Sequence, residues 1–298
     1  MTISVLYDIP GPVTRRRTAI GTAIAAVALV GLIVLVLIQL GANGQLDGAK
    51  WGPLFNPANP YFVAVWGALG GGLANTLIAA ALTLVFALAI GTLLAIARLS
   101  STKAYRWLVV SLIELLRGLP VVVTIYFASR VLPEIGISLP PLWYLVVGLT
   151  AYNCVIIAEI LRSGVAALPR GQTEAALAVG LSRLQTLRMI LLPQAFRIML
   201  PALISQLVVI VKDTSLGFVI FGFSEFVRTA NTVIQFFGGQ LGVNLPLQMY
   251  VAVALVFILI NYSLGKLAEA VQRRLARGRR SAAPPTLGMA TGEGPGAS

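Results

Sequence analysis

Residues 169–193 read PRGQTEAALAVGLSRLQTLRMILLP and separate two long apolar segments of the chain. Pro169 and Gly171 interrupt the preceding pattern, and good helix formers then run through residues 172–179. Gly180 is placed to end this short helix, because glycine readily takes the left-handed conformation that closes a helix. The stretch therefore predicts a short helix followed by a bend.

A second short helix is predicted after the bend. Ser182 and Gln185 have the spacing of a capping box, in which each side chain accepts a hydrogen bond from the other residue's backbone N–H. The pattern favours a helix over residues 184–192, and we expect Pro193 to end it. A helix of about two turns is not stable alone in water, so both short helices must pack against another surface.

Two kinds of surface are open to these helices. They can lie on their own bundle or at the lipid interface, as amphipathic connectors do. Alternatively, Ala175, Ala176 and Leu177 can present a small apolar knob to the groove of a soluble partner.

The segments on both sides of this stretch are typical of a membrane protein. The chain has 298 residues, of which 58% are hydrophobic and only 11% are charged. A helix needs about 20 apolar residues to cross the hydrocarbon core, where its backbone groups must be satisfied internally. Six segments fit this requirement: 19–40, 72–97, 107–128, 135–158, 194–222 and 246–267. We predict an all-α, polytopic membrane helix bundle of six transmembrane helices.

The composition also excludes most catalytic chemistry. The chain has no histidine and one cysteine, Cys154, which excludes histidine acid–base catalysis, metal sites built on several cysteines or on histidine, and an intrachain disulfide. Its formal net charge is +12, but long stretches carry no charge, so the excess favours a membrane over nucleic acid as the partner. An intramembrane enzyme is disfavoured because no Gly-x-Ser-x-Gly motif is present and Asp213 is the only aspartate within a span.

Positive charges set the predicted orientation, because cytoplasmic loops of membrane proteins retain Lys and Arg. Most of them precede the first span, follow the sixth, or lie between the second and third and between the fourth and fifth: Arg15, Arg16, Arg17, Arg98, Lys103, Arg106, Arg162, Arg170, Arg183, Arg188, Arg197, Lys266, Arg273, Arg274, Arg277, Arg279 and Arg280. Lys50, Arg130 and Arg228 fall on the opposite side. We therefore predict that both termini and the bend are cytoplasmic.

The spacing of residues in the bend resembles the EAA loop of ABC-transporter permeases. Glu174-Ala175-Ala176 is followed after three residues by Gly180, after nine more by Ile190, and then by Leu192-Pro193. Further stretches resemble the polar amino-acid uptake branch of that family: ELLRGLP (114–120), AEILRSG (158–164), PRGQ (169–172), LPQAFR (192–197) and KDTSL (212–216). The likeness covers about residues 72–267. Leu119 and Thr173 depart from the pattern, where a small polar residue and a tryptophan are common.

This resemblance implies a type I ABC importer permease with a cytoplasmic EAA coupling helix. It implies a separate ATPase that docks on the bend, a second permease copy or paralogue, an external amino-acid-binding protein, and membrane lipid as surroundings. The implied docking residues are Glu174, Ala175, Ala176, Leu177, Gly180, Ile190, Leu192 and Pro193. Direction of transport, import, also comes from the family.

The sequence contains no phosphate-binding loop of the Gly-x-x-x-x-Gly-Lys-Ser/Thr type. Its lysines, at positions 50, 103, 212 and 266, are followed by Trp, Ala, Asp and Leu. We therefore expect no cofactor on this chain, and ATP bound by the partner subunit.

The spans divide the chain into five predicted regions. These are a cytoplasmic tail (1–18), an additional N-terminal transmembrane helix (19–40), an external loop (41–71), a permease core of five helices with a coupling loop at 163–193 (72–267), and a basic, then disordered cytoplasmic tail (268–298). The first helix is too long for a signal peptide and no small-residue cleavage site follows it, so we interpret it as an uncleaved anchor.

Charged residues inside the predicted spans are candidates for the substrate pathway or its gate. Lys212 and Asp213 lie near the middle of the fifth span, where a central Lys or Asp costs about 2.5–3.5 kcal/mol. Adjacent helical residues point in different directions, so each is expected to have its own partner. Glu114 and Arg117 are three residues apart and can bond to each other.

Uncharged polar residues complete this candidate set. Asn153, Thr214 and Ser215 can hydrogen-bond from helix to helix. Two roles stay open for the whole set, interhelical bonding or gating on one side and direct substrate contact on the other. A cation at Lys212 or Arg117 suits an α-carboxylate or the second carboxylate of glutamate, so glutamate is the first predicted substrate and glutamine the second. An ion-gradient-driven secondary transporter is the alternative, although the inverted repeats typical of that class are absent from the sequence pattern.

Overall fold

The computed structural model describes residues 11–100, 103–220 and 222–281. The predicted tails therefore lie partly outside the described residues, at positions 1–10 and 282–298. Within the described part the chain is helical and contains no β-strand. This agrees with the predicted all-α class.

Eleven helical segments follow one another in the described part of the chain. They are α1 (Pro12–Ala42), α2 (Gly48–Phe55), α3 (Phe62–Ser100), α4 (Lys103–Gly118), α5 (Val121–Glu134), α6 (Pro141–Ala166), α7 (Arg170–Ala178), α8 (Arg183–Gln185), α9 (Leu192–Asp213), α10 (Phe226–Leu241) and α11 (Pro246–Ser281). A π-helical segment (Thr186–Leu191) joins α8 to α9, and a 3-10 turn (Thr214–Val219) follows α9.

The number of membrane spans depends on one bent pair of helices. Five stretches in the described residues are long and apolar enough to cross a membrane: Pro12–Ala42, Phe62–Leu99, Pro141–Ala166, Arg183–Val219 and Pro246–Arg274. The predicted span 107–128 is instead broken between Gly118 and Val121, where α4 and α5 meet at 100°. Pro120 lacks a backbone N–H and restricts the residue before it, so a straight helix cannot continue here. The count reaches the predicted six if this pair is one span.

The chain forms two compact units. The first contains residues up to Trp66 together with Ile234–Met249. The predicted external loop within it holds α2, whose first turn is capped by the Asp47 carboxylate accepting from Ala49 N–H at 3.1 Å. Buried Gln248 donates to the Gln45 carbonyl at 2.8 Å. The predicted loop at 41–71 thus contains a helix, and α3 begins within it at Phe62 rather than at the predicted residue 72.

The second unit contains Gly67–Val233 and continues from Tyr250. In it α6 packs against α4, α5 and α9. Glycines permit the closest approaches, since a Cβ at Gly148 would lie 2.5 Å from Ile125 Cα, and one at Gly164 would lie 2.6 Å from Met199 Cγ. On α3, a Cβ at Gly91 would lie 2.7 Å from the Cys154 carbonyl oxygen. α6 is therefore the helix around which its neighbours are packed.

Candidate functional site

The bend begins with α7, which ends as predicted at Gly180. Gly180 N–H donates to the Leu177 carbonyl at 3.0 Å, and Leu181 N–H donates to the Ala176 carbonyl at 3.1 Å. Gly180 has a φ of +88°, which non-glycine residues rarely adopt. These bonds satisfy the last carbonyls of α7 and turn the chain.

The second half of the bend contains the predicted capping box. Ser182 N–H donates to Gln185 Oε1 at 2.8 Å, and Gln185 N–H donates to Ser182 Oγ at 3.3 Å. The prediction that Pro193 ends this helix is wrong, because the chain passes through the π-helical segment directly into α9. A wider π turn before Pro193 gives its ring room that an α turn would deny, and its missing N–H falls in the first turn of α9.

The predicted docking residues separate into exposed and internal ones. Exposed are Glu174, Ala175, Leu177, Gly180 and Pro193, whereas Ala176 and Leu192 are buried and Ile190 is half-buried. Leu192 packs with Leu187 and Leu191, and Ile96, Val165, Leu168 and Ile190 surround this cluster. Leu192 and Ile190 therefore help to hold the bend on the ends of α3 and α6. The exposed residues in and directly after α7, Glu174, Ala175, Leu177 and Gly180, form the surface that we call the α7 face.

An ion cluster that sequence reasoning missed lies just before the bend. Arg98 on α3 donates to Glu159 Oε2 at 2.7 Å, and Arg162 on α6 donates through Nε to Glu159 Oε1 at 2.8 Å. The three side chains are largely shielded from solvent. The spacing of Glu159 and Arg162 was a usable signal, but nothing in the local sequence identifies Arg98 as the third member.

Asn153 joins two helices in the interior, as predicted. Its Nδ2 donates to the Leu149 carbonyl at 2.8 Å, and its Oδ1 accepts from Gln206 Nε2 of α9 at 2.7 Å. Thr214 and Ser215 behave differently, because their hydroxyls donate to the Val211 and Lys212 carbonyls of their own segment. Helix-to-helix bonding is therefore observed only for Asn153 among these three.

Of the intramembrane charges, Glu114 and Arg117 lie within ion-pair distance as predicted, whereas Lys212 and Asp213 have no ion pair in the described residues. Lys212 is exposed and Asp213 half-buried, and within residues 11–100, 103–220 and 222–281 neither makes an ion pair. Their expected partners are thus not found in the described part of the chain. Glu114 Oε1 and Arg117 Nη1 are 4.0 Å apart, and both side chains are about half exposed. The candidates occupy three places: the end of α4, the α6–α9 contact, and the end of α9.

Comparison with known proteins assigns the region that holds these residues to a protein family. Residues 87–277 match the model of the binding-protein-dependent transport system inner membrane component. The chain belongs to this family. The match begins inside α3 and ends inside α11, so every predicted site residue of this inner-membrane component falls within it.

Two relatives and a solved structure agree with this family assignment. Over 247 residues the chain is 42% identical to the glutamate transport system permease protein GluD of Corynebacterium glutamicum, covering 81% of this chain and 85% of GluD. It is 35% identical over 193 residues to the probable glutamine ABC transporter permease protein GlnP of Bacillus subtilis, covering 65% and 85%. The crystal structure of an amino acid ABC transporter with histidines superposes with a TM-score of 0.63 at 26% identity, covering 72% of this chain and 96% of that one.

These findings confirm the predicted family and fold class. The inner-membrane component is a multi-pass permease subunit of the ABC type in the cell membrane. The family description names transport that depends on a binding protein. The roles of the individual site residues stay predictions.

Proposed function

We propose that this chain forms the translocation pathway of an ATP-driven importer of polar amino acids, with glutamate as first substrate and glutamine as second. The names of GluD and GlnP support this substrate class. The observation that carries the proposal is the α7 face, an exposed surface on a packed base, in a chain whose sequence has no phosphate-binding loop. Nucleotide is bound by the partner ATPase, and the chain itself has no catalytic role.

The α7 face is the proposed docking surface for that ATPase. Glu174, Ala175 and Leu177 present a carboxylate, a small side chain and an apolar side chain on one exposed helix. Because α7 packs on the π-helical segment, and leucines of that segment pack against α3 and α6, a displacement of α7 is passed to those helices. Closure of two ATPases beneath two permeases then tilts α6 and α9 and opens the pathway outward. Both chain termini lie on the ATPase side in this proposal.

The end of α9 is the proposed contact with the substrate. Lys212 is exposed on the isolated chain and has no acidic partner in its described part, so its ammonium group is available to a carboxylate. Burying an unpaired cation in the bilayer is unfavourable, which favours a position that faces a water-filled path or the second permease.

Reconstituted transport tests the proposal. The chain, its partner permease, the ATPase and the binding protein are assembled in proteoliposomes, and uptake of labelled glutamate and glutamine is measured. We expect uptake that requires internal ATP and survives collapse of ion gradients by ionophores. Uptake that persists without ATP but stops with the ionophores would assign the chain to gradient-driven transport.

A further inference from the structure

The segment between Asp213 and α10 connects the candidate pathway residues at the end of α9 to the next helix. α9 ends at Asp213, and the 3-10 turn Thr214–Val219 follows at once. Gly217 packs against α6 so closely that a Cβ there would lie 2.8 Å from Leu145 Cδ2. This contact holds the middle of the turn. At its end the Phe218 and Ile220 carbonyls have no following helical turn, and the Ile220 carbonyl accepts a long bond from Phe223 N–H at 3.5 Å.

Arg228 supplies donors to those carbonyls. It lies in the first turn of α10, and its Nη1 donates to the Phe218 carbonyl at 3.0 Å and to the Ile220 carbonyl at 3.1 Å. Charged donors make stronger hydrogen bonds to carbonyl oxygen than neutral donors do. One guanidinium therefore holds two of the residues that follow Gly217.

The start of α10 is itself fixed, so Arg228 reaches from a rigid base. The buried Glu225 carboxylate caps α10, accepting from Val227 N–H at 2.7 Å and from Arg228 N–H at 2.6 Å. Phe226 N–H donates to Thr76 Oγ1 of α3 at 3.0 Å. A Cβ at Gly72 of α3 would collide with the Thr229 hydroxyl.

We propose that Arg228 is a positioning residue for transport, which fixes the 3-10 turn and thereby the placement of residues 212–215. The charge count had placed Arg228 merely among the external basic residues, whereas its contacts give it a specific task. This inference rests on the proposed function for its transport consequence, and on the contacts alone for its effect on the turn. Arg228 acts through the backbone of Phe218 and Ile220, whose carbonyls accept from its guanidinium.

Three variants test the proposal in the reconstituted transporter. Arg228→Met removes the donors, Arg228→Lys keeps a charged donor, and Arg130→Met is the matched control, because Arg130 is an exposed residue stacked on Tyr126 at 5.5 Å. We expect Arg228→Met to lower the maximal uptake rate about tenfold without changing half-saturation by the loaded binding protein. Arg228→Lys should recover at least part of the rate, and Arg130→Met should match the wild type.

Hydrogen–deuterium exchange gives a measurement that does not depend on transport. Peptides covering residues 214–220 should exchange faster in Arg228→Met than in the wild type, with α6 peptides unchanged. Unchanged exchange at 214–220, a rate within twofold of the wild type, or equal impairment of Arg228→Met and Arg228→Lys would each overturn the proposal. A wild-type complex that moves no polar amino acid would instead overturn the proposed function, and the exchange result would still stand.

Discussion

The region around α7 and the end of α9 both contain charged residues, and the two regions differ in whether those charges are paired. Around the bend, Glu159 is held by two arginines, the capping box is complete, and leucines form a packed base. At the end of α9, Lys212 and Asp213 have no ion pair within the described residues. Charges that are satisfied inside the chain maintain its shape, whereas charges left unsatisfied are available to a second subunit or a substrate.

The largest effect is expected for a substitution that disrupts the bend. Gly180→Leu places a branched side chain at a φ of +88°, which costs about 1–2 kcal/mol of strain, and its bulk extends into open space beside the α7 face. We expect ATP-driven uptake and capture of the ATPase on immobilised permease both to be lost, with membrane insertion intact.

A pair of smaller substitutions separates strain from bulk. Gly180→Ala should still weaken ATPase capture, whereas Gly171→Ala in α7 should not, because Gly171 has no positive φ and has open space around it. Normal capture and uptake by Gly180→Leu would remove the bend from the coupling path.

The next largest effect is expected at Lys212, which has no ion pair within the described residues. Lys212→Met should lower glutamate uptake about tenfold or more, since a hydrogen bond to a charged group contributes about 1.5–3 kcal/mol. ATPase capture should be unchanged, because the bend is intact. Lys266→Met is the control: Lys266 is also exposed but has an acidic partner, Glu269, at 3.2 Å. Equal uptake by both variants would show that the lack of a partner at Lys212 has no functional meaning.

A stability measurement tests the paired charges around Glu159. Glu159→Gln leaves Arg98 and Arg162 close together without their shared carboxylate, and we expect a loss of about 1–2 kcal/mol, between the ranges for exposed and buried pairs. Glu269→Gln, which removes an exposed partner of Lys266, should change stability by less than about 0.5 kcal/mol. Thermal unfolding of the purified permease in detergent checks both. A larger loss in Glu269→Gln would contradict the ranking.

The smallest effect lies between the two regions, at the Asn153–Gln206 contact. A double-mutant cycle with Asn153→Ala and Gln206→Ala should give a coupling of about 0.6 kcal/mol, the average for interhelical hydrogen bonds in membranes. The same unfolding assay measures it. A coupling near zero would mean that the contact leaves both residues free for the pathway.

Local sequence rules predicted the features that depend on residues close together in the chain. The capping box at Ser182 and the turn at Gly180 depend on residues a few positions apart, and both predictions are confirmed. Pro193 shows the limit of such rules, because the preceding π-helical segment let the helix pass it. Pro120 explains locally why the helix breaks after Gly118, but the 100° angle depends on how α5 packs on α6.

Long-range contacts were beyond reach from one sequence. Arg98 is 61 residues from Glu159, and Gln206 is 53 residues from Asn153, so no spacing rule pairs them. Arg228 was counted only as an external charge, and its backbone contacts depend on the course of the 3-10 turn. The docking and pathway roles of single residues stay predictions for the same reason, since their partners belong to other molecules.

The glycines at 91, 148 and 164 have a practical consequence for anyone who wishes to redesign this transporter. They let neighbouring backbones and side chains come so near that each site would collide with an added methyl group. A mutagenesis library aimed at a new cargo should therefore leave these positions alone and diversify residues 212–216.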